Sequence, residues 1–495
     1  MAGALSRNRS VWVTVGLVAL LLLWMSTQYK PQVTASILLS GLTLGALYFL
    51  VTSGLSLIFG LMDVLNFAHG LFFMFGAYVG YTLYANPRLI LNTLPLALAL
   101  VGGLIVGGWL AGLRPGPARD TRAAQLATAA LGLAGGGLAV AAVWGFDLLT
   151  LGAPTGGTGE PAGPYLLRVL ALSGGGLLLG LLRGWREPAR PRAGRRGGRG
   201  LAIGALTVAL AVILVYTRVP GASFLIALSS NLRFVLALAA GAAAGAALGG
   251  LIEWSLIRPL YVRPIYQVLL TLGLVFVGTE AVKGIWGATG FNMEMPAQFA
   301  TRGTGCRAAD LAAWITKGCA SIDVLGRPFP TYRLFLILLG GVMFVAIALL
   351  LRRSRLGMVI RAGVQDSEMV QALGINVRWV FTLVFALGTG LAALGGVAAA
   401  PFIGVYPEMG QEFLLLAFIA VVIGGMGSYS GAALGALLVG LARAFGDQLV
   451  TTGIHLPGLA DALTFSPSIA RASTVLLMAV VLLARPAGLF GKKDS

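Results

Sequence analysis

The chain has 495 residues, 58% of them apolar and only 11% charged, with a mean hydropathy of +0.89 and a net charge of +18. A water-soluble globule cannot bury that much apolar surface, so composition excludes a soluble enzyme or soluble carrier, and continuous rather than alternating apolar runs exclude an outer-membrane barrel. The basic surplus lies in short loops between apolar runs, which is the positive-inside pattern of a membrane protein rather than a nucleic-acid footprint.

The elements follow in chain order. Arg7 and Arg9 precede an apolar run from Val11 to Met25, and the Ser26-Thr27-Gln28-Tyr29-Lys30 that follows offers no small-residue cleavage site. It reads as an uncleaved first transmembrane helix, residues 1–35 with its flanks. Further apolar runs fall near 36–60, 64–84, 89–113, 123–144, 165–183, 201–217, 223–252, 266–286, 333–351, 379–400, 413–427, 431–449 and 470–485. Each is long enough to be read as a span or a half-helix, giving an all-α, polytopic helical membrane protein with discontinuous helices and about 12 or more spans. Arg183 to Arg199 supplies seven arginines, and Arg352, Arg353, Arg355, Arg361 and Arg378 mark a second basic loop. Arg258 and Arg263 mark a third, and Arg485, Lys492 and Lys493 mark the tail. Placing these loops in the cytoplasm puts both termini inside and leaves 145–164 and 287–332 outside. Glycine, at 71 residues, is about twice its usual ~7% share, which in lipid points to close helix packing and to helix breaks that line cavities.

Three segments carry chemistry. Asp63, Asn66 and His69 cluster within an apolar region, in Asn66-Phe67-Ala68-His69-Gly70. Polar groups at membrane depth must face protein or a water-filled path, so Asn66, Ala68, His69 and Gly70 are candidates for a translocation path or for a turn built around a satisfied histidine. A lone histidine without a ligand-spaced partner makes no metal site, and none is expected. The second segment, Arg352 to Arg378, reads as a short cytoplasmic helix capped by Asp366 or Ser367 and ended by Gly374 in the left-handed conformation. Met369, Val370 and Leu373 form an apolar stripe on it, suited to docking against a partner or the membrane surface. The third, Gly424-Gly425-Met426-Gly427-Ser428, splits a very apolar region and exposes backbone groups that need protein, water or a ligand. It is either part of a transport path or a tight helical hairpin. Cys306 and Cys319 both fall in the outside segment 287–332, where an oxidising compartment permits a disulfide.

These segments, in this order and together with Ile257-Arg258-Pro259-Leu260 and the closing Arg485-Pro486-Ala487-Gly488-Leu489-Phe490-Gly491, resemble the branched-chain amino acid permeases of bacterial ABC importers, the LivH/LivM type, and the LivH branch most. The resemblance covers about 36–86 and 224–491. It implies an ABC importer permease fold in the inner membrane, paired with a second, LivM-like permease, two ATP-binding subunits and an external substrate-binding protein. It also implies branched-chain or similar aliphatic amino acids as substrate, with urea or short amides as the alternative. The chain then needs no cofactor and no catalytic residue of its own, because ATP is bound by the partner subunits. Family permeases couple to the ATPase through a Glu-Ala-Ala-x-x-x-Gly-like loop. Glu368 and Gly374 stand at that spacing, with Met369 and Val370 in place of the two alanines, so the implied coupling set is Arg361, Asp366, Glu368, Met369, Val370, Leu373 and Gly374.

The departure from the pattern is residues 88–222, which carry 13 arginines against Asp120, Asp147, Glu160 and Glu187 and read as an inserted four-helix transmembrane segment. The permease core then divides into 36–87 and 223–491, the latter holding the outside loop 287–332 and the coupling loop 352–378. An ion-coupled transporter using Glu253 or Glu280 is a rival reading of the same broken helices. A membrane-embedded enzyme is disfavoured by two histidines with no paired carboxylates nearby.

Overall fold

In lipid a segment must satisfy its own backbone, so apolar runs of this length fold as helices. The computed structural model describes residues 29–62, 66–113, 122–144, 160–186, 198–261, 263–301, 307–308, 311–365, 367–453, 466–485 and 488–490. The first apolar run, near 11–27, lies outside them. The helices are α1 (Pro31–Met62), α2 (His69–Ala85), α3 (Pro87–Ala111), α4 (Arg122–Val143), α5 (Ala162–Arg186), α6 (Arg199–Ala227), α7 (Ser230–Ile252), α8 (Pro264–Trp286), α9 (Leu311–Lys317), α10 (Thr331–Arg353), α11 (Arg355–Gln365), α12 (Ser367–Ala372), α13 (Val377–Ile403), α14 (Met409–Gly424), α15 (Tyr429–Thr452) and α16 (Pro467–Ala484). Ten helices among the described residues are long and apolar enough to cross a bilayer, and α14 is a shorter apolar helix. Prolines open α3, α8 and α16, where the missing N–H would have no intrahelical partner anyway.

Two boundaries differ from the sequence reading. The runs at 201–217 and 223–252 are divided elsewhere: α6 continues through Pro220 to Ala227, and the chain turns extended only at Leu228. The divide placed at 222/223 therefore falls inside a helix. A proline removes one helical hydrogen bond, which a membrane helix tolerates when its neighbours support it. The second difference lies in 287–332, where the all-α reading meets an exception, a small three-stranded sheet of β1 (Arg307–Ala308), β2 (Ser321–Val324) and β3 (Arg327–Pro330). β1 runs parallel to β2, and β2 antiparallel to β3. The hairpin turn has Leu325 at φ +52° and Gly326 at +85°, the two positive φ values that a two-residue turn matched to strand twist requires. Cys319, fully buried beside this sheet, is disulfide-bonded; Cys306 lies outside the described residues.

The chain forms two compact units, residues 82–229 and residues 1–81 with 230–495. In the first, α5 packs on α3 and α4, and α3 on α6, around Leu96, Tyr165, Val169, Leu172 and Val215. Gly103 and Gly107 of α3 meet Ser173 and Leu177 of α5, while Gly176 and Gly180 of α5 meet Leu100 and Leu104 of α3 so closely that a β-carbon at any of the four would strike backbone. This is the small-xxx-small contact that holds helices together in lipid, where burial itself gives no driving force between them. Arg168 of α5 ties down the outer turns: it grips Glu160 at 2.7 and 2.8 Å and donates to the Ala142 and Trp144 carbonyls that end α4. The hydrogen bonds from Arg168 hold the Glu160 carboxyl below the usual carboxylate range.

In the second unit α1 is central and packs against α10, α13, α14 and α15. Gly41 and Gly45 of α1 lie against Leu441, Leu437 and Gly440 of α15, and Gly241, Gly245 and Gly249 of α7 lie against Val397, Ala393 and Thr389 of α13. Four-residue spacing on both partners builds each seam from sequence. Phe234, Phe299, Trp314, Tyr332 and Phe335 form an aromatic cluster where α7 and α10 meet the small sheet, and the Tyr332 hydroxyl donates to Ala398 of α13 at 2.7 Å.

Candidate coupling surface, helix breaks and buried ion pair

The basic loop after α10 is built of two helices rather than one. Ser354 is the only non-helical residue between α10 and α11, and its hydroxyl oxygen accepts from the Gly357 N–H at 2.9 Å, capping α11. Leu356 and Ile360 anchor α11 in a core cluster with Leu57, Ile347, Val384 and Leu391. α12 closes with Ile375 N–H donating to Val370 at 3.3 Å and Gly374 N–H to Gln371 at 2.9 Å. Gly374 has φ +81°, the left-handed helix stop that glycine adopts without Cβ strain. Asn376 then caps α13 by accepting from Trp379 N–H.

The apolar stripe needs correcting. Met369 and Leu373 are 60% and 73% exposed, but Val370 is buried, at 3%. A helix turns about 100° per residue, so Val370 points into the protein while Met369 and Leu373, four apart, share the outer face. Met358 and Trp379, exposed as well, extend the apolar outer surface on either side in sequence. Their signal was present as apolar residues inside an otherwise basic loop. Arg361 is exposed; Asp366 lies outside the described residues, as does the side chain of Glu368.

The Asn66–Gly70 cluster forms the turn into α2. Asn66 Oδ1 accepts from Ala68 N–H at 3.1 Å, and His69 Nε2 donates to the Val51 carbonyl of α1 at 3.0 Å. Asn66, Ala68 and His69 are buried, and Gly70 lies so close to Gly410 of α14 that a β-carbon would run into its carbonyl. The polar groups of this turn face protein. His69 Nδ1 and Asn66 Nδ2 have no hydrogen-bond partner among the described residues.

The glycine break makes a hairpin of α14 and α15. Gly425 and Gly427 take φ +97° and +77°, Ser428 caps α15 by accepting from Gly431 N–H at 3.1 Å, and Gly424 and Gly431 pack backbone to backbone. The carbonyls left open where α14 stops are closed from far along the chain. Leu489 N–H donates to Ile423 at 2.9 Å and Phe490 N–H to Gly424 at 3.0 Å. Gly488 permits this with φ +75°, and a β-carbon there would sit 2.6 Å from the Val422 carbonyl oxygen. Gly488→Val is therefore expected to release the tail, because backbone strain of about 1–3 kcal/mol adds to the clash. Hydrogen-exchange mass spectrometry of the full chain should show the Leu489 and Phe490 amides exchanging much faster; unchanged protection would count against the contact.

At its end α7 widens into one π-turn, Glu253–Ile257, followed by a 3-10 turn, Arg258–Leu260. Glu253 is fully buried, lies 3.5 Å from Arg258 Nε, and accepts a hydrogen bond from the Tyr261 hydroxyl. Arg258 also donates to the Arg378 carbonyl at 2.9 Å and to Thr382 at 2.7 Å, both in the first turns of α13 directly after the basic loop. Sequence reasoning picked out Glu253 and Arg258 separately and did not pair them. An acid followed five residues later by an arginine in an apolar run is the available signal. Glu280 is exposed and paired with Lys283 at 3.2 Å.

A family model, that of the branched-chain amino acid transport system permease component, matches residues 194–484. The match begins inside the stretch read as inserted. The LivH permease protein of high-affinity branched-chain amino acid transport in Escherichia coli (strain K12) is 34% identical over 151 residues, 30% of this chain and 44% of that protein. The corresponding BraD protein of Pseudomonas aeruginosa is 35% identical over 161 residues, 32% of this chain and 46% of that protein. The ribose import permease RbsC of Escherichia coli (strain K12) is 28% identical over 252 residues, 50% of this chain and 66% of that protein. The chain thus spans less than half the length of these branched-chain relatives. No solved structure matches it.

Proposed function

Since the chain belongs to the family of branched-chain amino acid transport permease components, we propose that it is the membrane-spanning subunit of an ABC importer for branched-chain or similar aliphatic amino acids. It works in the inner membrane with both termini cytoplasmic, beside a second permease subunit, two ATP-binding subunits and an external substrate-binding protein. ATP hydrolysis belongs to the partners, and this chain supplies the path and the transmission. The observation that carries the reading, besides the family match, is the exposed Met369 and Leu373 pair on a short helix closed by Gly374. Two large apolar side chains held in water on a rigid turn gain about 1.5–3 kcal/mol each when a partner buries them. The ion-coupled alternative has less support, because Glu253 is paired with Arg258 and Glu280 with Lys283.

The assignment is tested by reconstituting the complex in proteoliposomes with its binding protein and ATPases and following labelled leucine, urea and ribose. ATP-dependent leucine, isoleucine or valine uptake is expected. Uptake of urea or ribose with no aliphatic amino acid would move the substrate to the amide or sugar class. Uptake by the permease alone, driven by an ion gradient, would sink the importer reading.

A further inference from the structure

The unit of residues 82–229 buries a cation that nothing in the transport reading uses. Arg218, near the end of α6, is only 3% exposed. Its guanidinium lies over the Tyr165 ring at 3.9 Å, donates to Asn92 Oδ1 at 3.1 Å and to the backbone carbonyl of Glu160. Its partners are thus a neutral amide, a backbone carbonyl and the ring and hydroxyl of Tyr165. The nearest carboxylate, Glu160, makes its ion pair with Arg168 instead. The Arg218 Nε is buried and has no hydrogen-bond partner among the described residues. Glu160 attracts both guanidinium groups, so one carboxylate serves two cations, and a buried N–H without an acceptor is costly.

Arg218 also lines a cavity of about 60 Å³, with Arg88, Asn92, Val219, Ala222 and Ser223 around it. That is several times the ~10–15 Å³ that admits one water. The other polar side chains on this wall are already engaged: the Asn92 amide donates to the Arg88 carbonyl, and the Ser223 hydroxyl donates to Pro220. Arg88 adds a second cation to the wall, and Arg218 Nε is a buried donor there with no partner among the described residues. The apolar Val219 on the cavity wall is 48% exposed, so the cavity lies at the outer surface of α6.

We propose that this cavity is a binding site for a phosphate-type oxyanion held by Arg218, supplied either by a phospholipid headgroup or by free phosphate. A planar guanidinium with an unused N–H matches a tetrahedral oxyanion in charge and in geometry.

The test uses the full-length chain in nanodiscs of phosphatidylcholine alone, of phosphatidylcholine with one-fifth phosphatidylglycerol, and of phosphatidylcholine with millimolar inorganic phosphate. Melting temperature is read in each for the wild type, Arg218→Met and Arg218→Lys, and native mass spectrometry follows retained lipid. A rise of several degrees with phosphatidylglycerol, with retained lipid, that Arg218→Met abolishes and Arg218→Lys partly keeps identifies a headgroup site. The same pattern with inorganic phosphate alone identifies a free-anion site. If neither addition shifts the wild type and no lipid is retained, or if Arg218→Met responds as the wild type does, the proposal is overturned. Should Arg218→Met fail to fold, the wild-type titrations and Arg218→Lys decide the matter.

Discussion

Replacing Arg258 by leucine is expected to destabilise the folded chain by about 3–5 kcal/mol, the usual cost of removing one partner from a buried ion pair. The cause is Glu253, which is fully buried and, among the described residues, keeps only the Tyr261 hydroxyl once the guanidinium is gone. Replacing both partners, Glu253→Leu with Arg258→Leu, is expected to recover most of the loss, because an apolar pair of similar volume avoids the desolvation penalty altogether. Thermal unfolding of the two single variants and the double variant in detergent closes the cycle. An Arg258→Leu protein that melts with the wild type would show that the pair carries no stability. The double variant should still transport poorly. Arg258 is also the link to Arg378 and Thr382 at the start of α13, so its loss uncouples the end of α7 from the segment that the ATPase is proposed to move.

Leu373→Asp is expected to weaken capture of the ATPase subunits by about one to two orders of magnitude, from the ~1.5–3 kcal/mol that a fully buried leucine contributes. Because Leu373 is 73% exposed in the free chain, its replacement leaves the permease fold intact, and the melting temperature should not move. Val370→Ala reports the opposite: buried at 3%, it is expected to lower the melting temperature with a smaller effect on capture. Co-purification of tagged ATPase with each variant, set beside its melting curve, separates the two faces of α12. Undiminished capture and uptake with Leu373→Asp would leave the loop an ordinary surface helix.

The parts legible in sequence were those fixed by local chemistry. Apolar run length gave the spans, Gly374 gave the end of α12, and the Gly424–Ser428 cluster gave the division between α14 and α15. Features set by distant partners were not legible. Val370, Met369 and Leu373 are equally apolar, and only the packing of α12 against its own subunit separates the buried one from the exposed pair. Pro220 reads as a stop in isolation, yet α6 runs through it because the bilayer gives the backbone no alternative to the helix. The closing of Ile423 and Gly424 by Leu489 and Phe490 spans some 66 residues, beyond any local pattern. The small sheet in 287–332 rests on strands of two to four residues, too short for alternation to declare itself. At the candidate path, sequence located the polar turn at Asn66–Gly70, but not that its side chains are turned into protein.

The tail contact also imposes an order on synthesis. The carbonyls of Ile423 and Gly424 leave the ribosome long before the amides of Leu489 and Phe490 that close them. Until α16 has inserted, the α14–α15 hairpin carries an open end that only water or a chaperone can satisfy. A chain interrupted after α15 keeps that end open. A label inserted near this contact must therefore leave residues 488–490 free to reach the break.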